Sequence, residues 1–134
     1  MRSFSSGDYS GRNPFWYWTQ GLHDAQVLRA ETFEIPFNKA RKQYYDCSCL
    51  KLHLDSSGAL LDRFVKSITF YNCKILVDNS HLGGYQKGSI DGCYWMQDIL
   101  KYENGKYVLD ISLLGRDDFL FRIRFDDAEV ERTK

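Results

Sequence analysis

The sequence lacks most of the features that mark common function classes. Lysine plus arginine number 18, as do aspartate plus glutamate, so the formal net charge of the 134-residue chain is zero. A balanced chain has no general field that attracts nucleic acid or an anionic membrane, so we expect neither as a partner. Its apolar runs are far shorter than the roughly 20 residues of a membrane helix, and the N-terminus lacks an apolar secretory signal. These absences predict a cytoplasmic protein.

Motifs of catalysis and of metal or cofactor binding are also missing. The glycine-rich stretch 83–88 (GGYQKG) has neither Rossmann nor Walker spacing, and there is no Gly-x-Ser-x-Gly elbow. Cys47, Cys49 and His53 would share one face of a strand, but same-face positions are too far apart for all three to bind one zinc ion. We expect no metal and no cofactor, and nothing in the chain favours nucleophilic catalysis.

The four cysteines do not indicate disulfides. A domain of this size, with 43% apolar residues, needs no cross-links to build a core. Cys47 and Cys49 would lie about 6.5 to 7 Å apart on one strand, whereas Cβ atoms in a disulfide are about 3.8 Å apart. We therefore expect four reduced and mostly buried thiols.

The length and composition predict one domain with one core. Residues 1–13 (MRSFSSGDYSGRN) are rich in serine and glycine, so we interpret them as a flexible leader. Residues 14–134 are expected to form a single β-rich domain.

A repeated β element is the most informative positive feature. Residues 24–27 (DAQV), 72–75 (NCKI) and 127–130 (DAEV) share a small acid or amide, then Ala or Cys, any residue, and a β-branched aliphatic residue. The last two copies also match upstream, through residues 68–71 (ITFY) and 123–126 (IRFD). In both, the apolar alternation shifts by one position at the polar pair. Such a shift is typical of a β-bulge or a tight corner.

Two further connections can be assigned from the pattern. Asn104 and Gly105 predict a two-residue type I′ hairpin between neighbouring strands. Its register would place these residues opposite each other: Tyr102 and Tyr107, Leu100 and Leu109, Asp98 and Ile111, and Met96 and Leu113. After the second strand, a three-residue loop centred on Arg116 keeps the apolar faces on one side. That loop would place Asp110 opposite Arg122 as a cross-strand ion pair.

The remaining segments are less sharply patterned. Residues 21–33 suit a helix by composition, but their DAQV match favours a strand. Residues 59–66 fit either a strand or one helical turn. We expect a basic connecting loop at 34–46 and a long mobile loop with four glycines at 78–92. The whole pattern predicts an all-β fold of seven to nine strands, as an antiparallel sandwich or partly closed barrel with bulged, duplicated strand units.

His23 and Asp24 lie next to the aromatic run 15–18 (FWYW). An imidazole and a carboxylate beside large rings would suit acid–base chemistry or ligand capture. Neighbouring residues on a strand point to opposite faces, so the two form a dyad only if a turn separates them. The alternative is that Asp24 caps a backbone N–H, as Asn72 and Asp127 would in the other copies.

Asp98 is the most unusual carboxylate, because the hairpin register places it on an apolar face. A buried carboxylate needs a donor, for which a Trp, a Tyr, a His or a cation from another strand would serve. Desolvation would raise its pKa, as acid catalysis requires. The alternative is that Asp98 lies near the sheet edge, or that a bulge turns it outward.

Trp16, Trp18 and Trp95 are the candidate binding residues, because tryptophan contributes strongly to binding surfaces. Most of the aromatic side chains must fill the core of a small β domain. We therefore expect one or two of these three rings to face a partner.

The chain also resembles a group of small, uncharacterised bacterial β-rich proteins, some of them similar to immunity proteins of toxin systems. The similarity spans residues 16–131 and is carried by residues 22–27 (LHDAQV), 50–55 (LKLHLD), 68–75 (ITFYNCKI) and 119–130 (FLFRIRFDDAEV). These motifs are structural, so the resemblance implies a fold and a protein partner but no catalytic residue.

Three functions therefore remain open. The first is a non-enzymatic, immunity-like module that binds a protein partner through loops and an exposed sheet face. The second is a small-molecule binder or hydrolase-like enzyme, whose pocket would be formed by Trp16, Trp18, His23, Trp95 and Asp98. The third is a homo-oligomer that assembles through an open sheet edge.

Overall fold

The computed structural model describes residues 14–35, 47–86 and 88–133. In order, its elements are β1 (Gln26–Ile35), β2 (Cys47–Asp55), β3 (Val65–Tyr71), β4 (Lys74–Asp78), α1 (Ser80–Gly83), β5 (Tyr94–Glu103), β6 (Lys106–Leu114), β7 (Asp118–Phe125) and β8 (Asp127–Arg132). The predicted all-β class is confirmed. The expected leader at 1–13 and most of the expected basic loop at 34–46 lie outside the described residues. No helix in the described ranges has the length and apolar character needed to cross a membrane.

The eight strands form one antiparallel sheet in the order β4-β7-β6-β5-β1-β2-β3-β8. The sheet is not closed into a barrel, and the fold is sandwich-like. Strands β1 and β5 join the two halves over a short stretch, where Trp95 N–H donates to Ala25 O and Val27 N–H donates to Cys93 O. Residues 21–33 therefore contribute to a strand, as the DAQV match predicted.

A bent two-stranded ribbon connects the two ends of the sheet order. Strand β3 is followed almost at once by β4, and β7 by β8, while β3 pairs with β8 and β4 with β7. The two long copies of the sequence repeat are therefore paired with each other, with Ile68 opposite Val130 and Ile75 opposite Ile123. The repeat marks the corner of this ribbon, which confirms the predicted bulge or corner.

Backbone geometry explains the polar residue at the start of each repeat. Asp24 and Asn72 have positive φ angles of 76° and 53°, a region that Asp and Asn tolerate better than most residues. Asp127 differs, since its Oδ1 accepts the N–H of Ala128 at 2.9 Å. The Asp24 side chain makes no such bond within the described residues, so the capping expectation is wrong for Asp24.

The core lies between the two halves of the sheet. Phe70 of β3 and Phe125 of β7 meet across it with ring centroids 4.8 Å apart, and Tyr107 of β6 stacks on Phe125 at 5.6 Å. The hairpin at Asn104 and Gly105 forms as predicted, with Tyr102 opposite Tyr107, Leu100 opposite Leu109 and Asp98 opposite Ile111.

The predicted pairing of Met96 with Leu113 is wrong. Leu113 lies opposite Trp95, because a bulge at Met96 interrupts the pairing between Trp95 and Gln97. A bulge adds one residue to a strand and so reverses the side chains beyond it. As a result, Trp95 and Asp98 are both buried, although three positions separate them.

One of the loop predictions is confirmed, and two other segments differ from what the sequence predicted. The three-residue loop after β6 is confirmed by the pairing of Leu114 with Asp118, and Arg122 forms a bidentate ion pair with Asp110 at 2.6 and 3.0 Å. Residues 59–64 are neither strand nor helix but a turn and bend. The segment expected as a long mobile loop contains α1, where the carbonyl oxygen of Gly83 accepts the N–H groups of Arg116 and Asp117.

The close approach of α1 to the β6–β7 loop yields a stability prediction. A Cβ added at Gly115 would lie 2.4 Å from the carbonyl oxygen of Gly83, a backbone atom that cannot rotate away. We expect Gly115→Ala to lower the free energy of unfolding by about 2 kcal/mol, measured by urea denaturation. Gly58→Ala is the control, because a Cβ added there would lie 3.7 Å from its nearest neighbour, the carbonyl oxygen of Asp24. Equal stability of the two variants would contradict this packing.

Candidate functional site

The Asp98 carboxylate is the most highly partnered polar group of the core. Its Oδ1 accepts the hydroxyl of Tyr17, and its Oδ2 accepts the indole N–H groups of Trp18 and Trp95, both at 2.8 Å. The prediction that Asp98 finds Trp or Tyr donors is confirmed. The alternative, an outward orientation, is wrong, because Asp98 is only 3% exposed.

Burial controls the acidity of this group. Desolvation raises the pKa of the Asp98 carboxyl above its usual value, and the hydrogen bonds from Tyr17, Trp18 and Trp95 partly offset that rise. All three donors are neutral groups, so no cation compensates the charge directly. The raised pKa expected from the sequence is thus present, in a position where both oxygens are occupied by core side chains.

The turn after Trp18 is also held by a hydrogen bond to Asp98. Thr19 and Gln20 have consecutive positive φ angles of 54° and 64°, an uncommon pairing for residues other than glycine. Gln20 Nε2 donates to the carbonyl oxygen of Asp98 at 2.7 Å and to the hydroxyl of Tyr17 at 3.0 Å, with a longer contact of 3.5 Å to Asp98 Oδ1. The chain direction at residues 19–20 is therefore set by contacts with β5.

All three tryptophans are buried, so the expectation that one or two of them face a partner is wrong. Trp16 packs edge-on against Tyr107, with centroids 5.3 Å apart, and Trp18 packs perpendicular to Trp95 at 5.4 Å. Residues 16–18 thus fill the space between the sheet halves, and their rings contribute buried area to the core. Phe15, the first residue of the aromatic run, is by contrast 96% exposed.

The structure brings His23 and Asp24 together but does not join His23 to Asp98. The positive φ angle at Asp24 provides a turn, and His23 Nε2 lies 3.7 Å from Asp24 Oδ1. His23 Nδ1 is hydrogen-bonded to the carbonyl oxygen of Met96. Within the described residues no hydrogen bond or ion pair links His23 to Asp98. The acid and base of the enzyme hypothesis therefore do not act as a connected pair.

Of the residues considered for a metal, His53 has a carboxylate partner. Its Nε2 lies 2.9 Å from Glu31 Oε1, and this contact lowers the pKa of Glu31. Cys49 is buried, as is Cys93. The Cys47 side chain lies outside the described residues. In the part of the chain that the structure describes, no three His, Cys, Asp or Glu residues are grouped so as to hold a metal ion.

A surface that the sequence did not single out lies at residues 59–64, which we name the apolar loop. Its three large apolar side chains, Leu60, Leu61 and Phe64, are 56%, 72% and 56% exposed. Exposed apolar residues are common singly, but three within five positions on one loop are unusual. The adjacent leucines follow no strand or helix period, so the sequence pattern offered only a weak signal for this loop.

The apolar loop is held in place by backbone hydrogen bonds to the turn at residues 21–23. Leu60 N–H donates to the carbonyl oxygen of His23 at 2.8 Å, and the N–H groups of Leu61 and Asp62 donate to Gly21 O at 3.1 and 2.9 Å. Asp62 also forms an ion pair with Arg132 at 2.7 Å. The exposed side chains thus project from a backbone whose conformation is fixed.

Comparison of the chain with protein-family models, with curated proteins and with solved structures found no match in any of the three.

Two substitutions test the role of Asp98 in stability. Asp98→Leu would leave the Tyr17, Trp18 and Trp95 donors without an acceptor, and each such buried group costs about 1–3 kcal/mol. We expect Asp98→Leu to lose at least about 3 kcal/mol in urea denaturation. Asp98→Asn should lose less than half as much, since its amide oxygen can accept both indole N–H groups and its NH2 group can donate to Tyr17. Equal losses would contradict the assigned hydrogen bonds.

The raised pKa of Asp98 gives a second prediction with a defined sign. Because the folded-state pKa lies above the unfolded value of about 3.9, the folded protein binds the proton more tightly. The contribution of Asp98 to stability therefore falls as pH rises from the unfolded pKa through the folded pKa. We expect the stability of the native protein relative to Asp98→Asn to decrease over this window in urea melts. A difference that increases with pH would show that the pKa is lowered.

Proposed function

We propose that this protein is a non-enzymatic module that binds a protein partner, and that the apolar loop forms the centre of its binding surface. The supporting observation is that Leu60, Leu61 and Phe64 are exposed on a loop whose backbone is hydrogen-bonded to Gly21 and His23. A fixed loop has already lost most of its conformational entropy, so binding a partner incurs less ordering cost.

The surroundings of the apolar loop resemble those of a protein interface. Binding energy in such interfaces is concentrated in a few apolar or aromatic anchors, while polar residues at the rim exclude water. The exposed leucines and Phe64 would be the anchors. His23 and Asp24, on the turn that supports the loop, are partly exposed and would belong to the rim.

The enzyme hypothesis has weaker support. Asp98 is enclosed by Tyr17, Trp18 and Trp95, so a substrate could reach its carboxylate only if the core opened. His23 remains partly exposed, but Nδ1 is held by a backbone carbonyl oxygen. The enzyme hypothesis is thereby reduced to the partly exposed pair His23 and Asp24, whose Nε2 and Oδ1 atoms are 3.7 Å apart.

An immunity-like role is the specific form of binding that the sequence resemblance suggests, with the module covering a surface of a toxin in the cytoplasm. The homo-oligomer hypothesis is less favoured. The outer strand β8 carries Glu129, Glu131 and Arg132, all exposed, and charges on an edge strand oppose pairing with another copy.

Binding by the apolar loop can be tested with paired variants in a tagged pull-down from the source cell, followed by mass spectrometry and an affinity measurement. We expect the unmodified protein to recover one protein in stoichiometric amount. Leu61→Ser combined with Phe64→Ser should weaken that complex at least about 30-fold, which corresponds to about 2 kcal/mol for loss of anchor residues.

The control combines Leu82→Ser with Ile99→Ser, which removes two exposed apolar side chains from other elements. It should leave the affinity unchanged. Recovery of a bound metabolite without any protein, or equal weakening by the two double variants, would refute the proposal.

A further inference from the structure

A row of cations crosses the four neighbouring strands β5, β6, β7 and β4 on their outer face. Lys101 of β5 lies opposite Val108 of β6, Val108 lies opposite Arg124 of β7, and Arg124 lies opposite Lys74 of β4. Directly opposed residues in an antiparallel sheet point to the same face. Three positive charges and one valine therefore form a single cross-strand row, which we name the basic row.

The charges of the basic row are not compensated. Within residues 14–35, 47–86 and 88–133, none of Lys74, Lys101 and Arg124 forms an ion pair. By contrast, the nearby Arg122 pairs with Asp110, and Lys106 pairs with Asp126 at 2.7 Å. Like charges directly opposite each other destabilise a sheet, so the Lys74–Arg124 pair lowers stability without an evident structural benefit.

Three members of the basic row, Lys101, Val108 and Arg124, line a groove of about 490 Å³, and Lys74 lies outside that lining. Val108 lies in its lining and is only 8% exposed although it points outward, because long cationic side chains can cover an apolar neighbour with their methylene groups. Leu76 adds a further apolar contact, and Glu103 is the one carboxylate among the residues that line this groove. The groove combines an apolar floor with unpaired cations on either side.

We propose that the basic row binds an acidic, extended segment of a partner protein. Neighbouring strands are about 4.8 Å apart, so Lys101 and Arg124 are separated by about 10 Å and Arg124 and Lys74 by about 5 Å. Carboxylates on alternate residues of an extended segment are about 6.5 to 7 Å apart, and flexible cationic side chains can adjust to that spacing. Apolar residues between the carboxylates would contact Val108 and Leu76.

A nucleic acid fits this surface less well. Duplex DNA carries about one charge per 1.7 Å, and Glu103 in the groove would repel such a dense array of phosphates. The chain as a whole has zero net charge, so it supplies no additional attraction. The proposal concerns residues separate from the apolar loop, and it can therefore fail or succeed independently of the proposed function.

The test uses a fluorescein-labelled peptide of alternating glutamate and valine, titrated with the full chain and followed by fluorescence anisotropy at about 50 and 150 mM salt. The combined change Lys74→Gln, Lys101→Gln and Arg124→Gln removes the basic row. The matched control, Arg29→Gln, Lys51→Gln and Lys66→Gln, removes the same charge from β1, β2 and β3. Variants of the apolar loop should bind the peptide unchanged.

We expect the basic-row variant to bind the peptide at least about tenfold more weakly, and the control to retain its affinity. Lys74→Gln alone should raise the urea midpoint slightly, because it relieves repulsion from Arg124, whereas a structural role would lower that midpoint. Equal weakening by both triple variants, or absence of peptide binding at the lower salt, would overturn the proposal. Tighter binding of a single-stranded oligothymidylate than of the peptide would also overturn it.

Discussion

Asp98 places a carboxylate inside the apolar core. An uncompensated carboxylate in an apolar core would be costly enough to prevent folding or to force its protonation. Asp98 offsets part of that cost by accepting hydrogen bonds from the hydroxyl of Tyr17 and the indole N–H groups of Trp18 and Trp95. The same bonds satisfy three donors that would otherwise be unpaired in the core, so each partner makes burial of the others acceptable.

This constraint extends from the core to the surface. Tyr17 and Trp18 donate hydrogen bonds to the Asp98 carboxylate, and Gln20 donates one to the carbonyl oxygen of Asp98. These bonds fix the turn that follows Trp18. The carbonyl oxygens of Gly21 and His23 then hold the backbone of the apolar loop. A carboxylate that first suggested acid catalysis therefore acts as a positioning residue for the apolar loop.

Local patterns were sufficient for much of the fold, and long-range packing explains the rest. Asn104 and Gly105 set a register that correctly placed Asp98 on the inner face. The bulge at Met96 was not predicted, since no glycine or change of period marks it in the sequence. Tyr17 and Trp18 lie about 80 positions from Asp98, and neither residue spacing nor periodicity can identify a contact of that range.

NMR of the protein with 15N-labelled tryptophan can detect whether two specific indole N–H groups are bonded to Asp98. We expect the Trp18 and Trp95 indole N–H groups to be protected from exchange with solvent. We also expect both signals to shift together as Asp98 titrates, while that of Trp16, which has no bond to Asp98, shifts less. Rapid exchange of the Trp18 and Trp95 indole protons, or signals insensitive to replacement of Asp98, would contradict it.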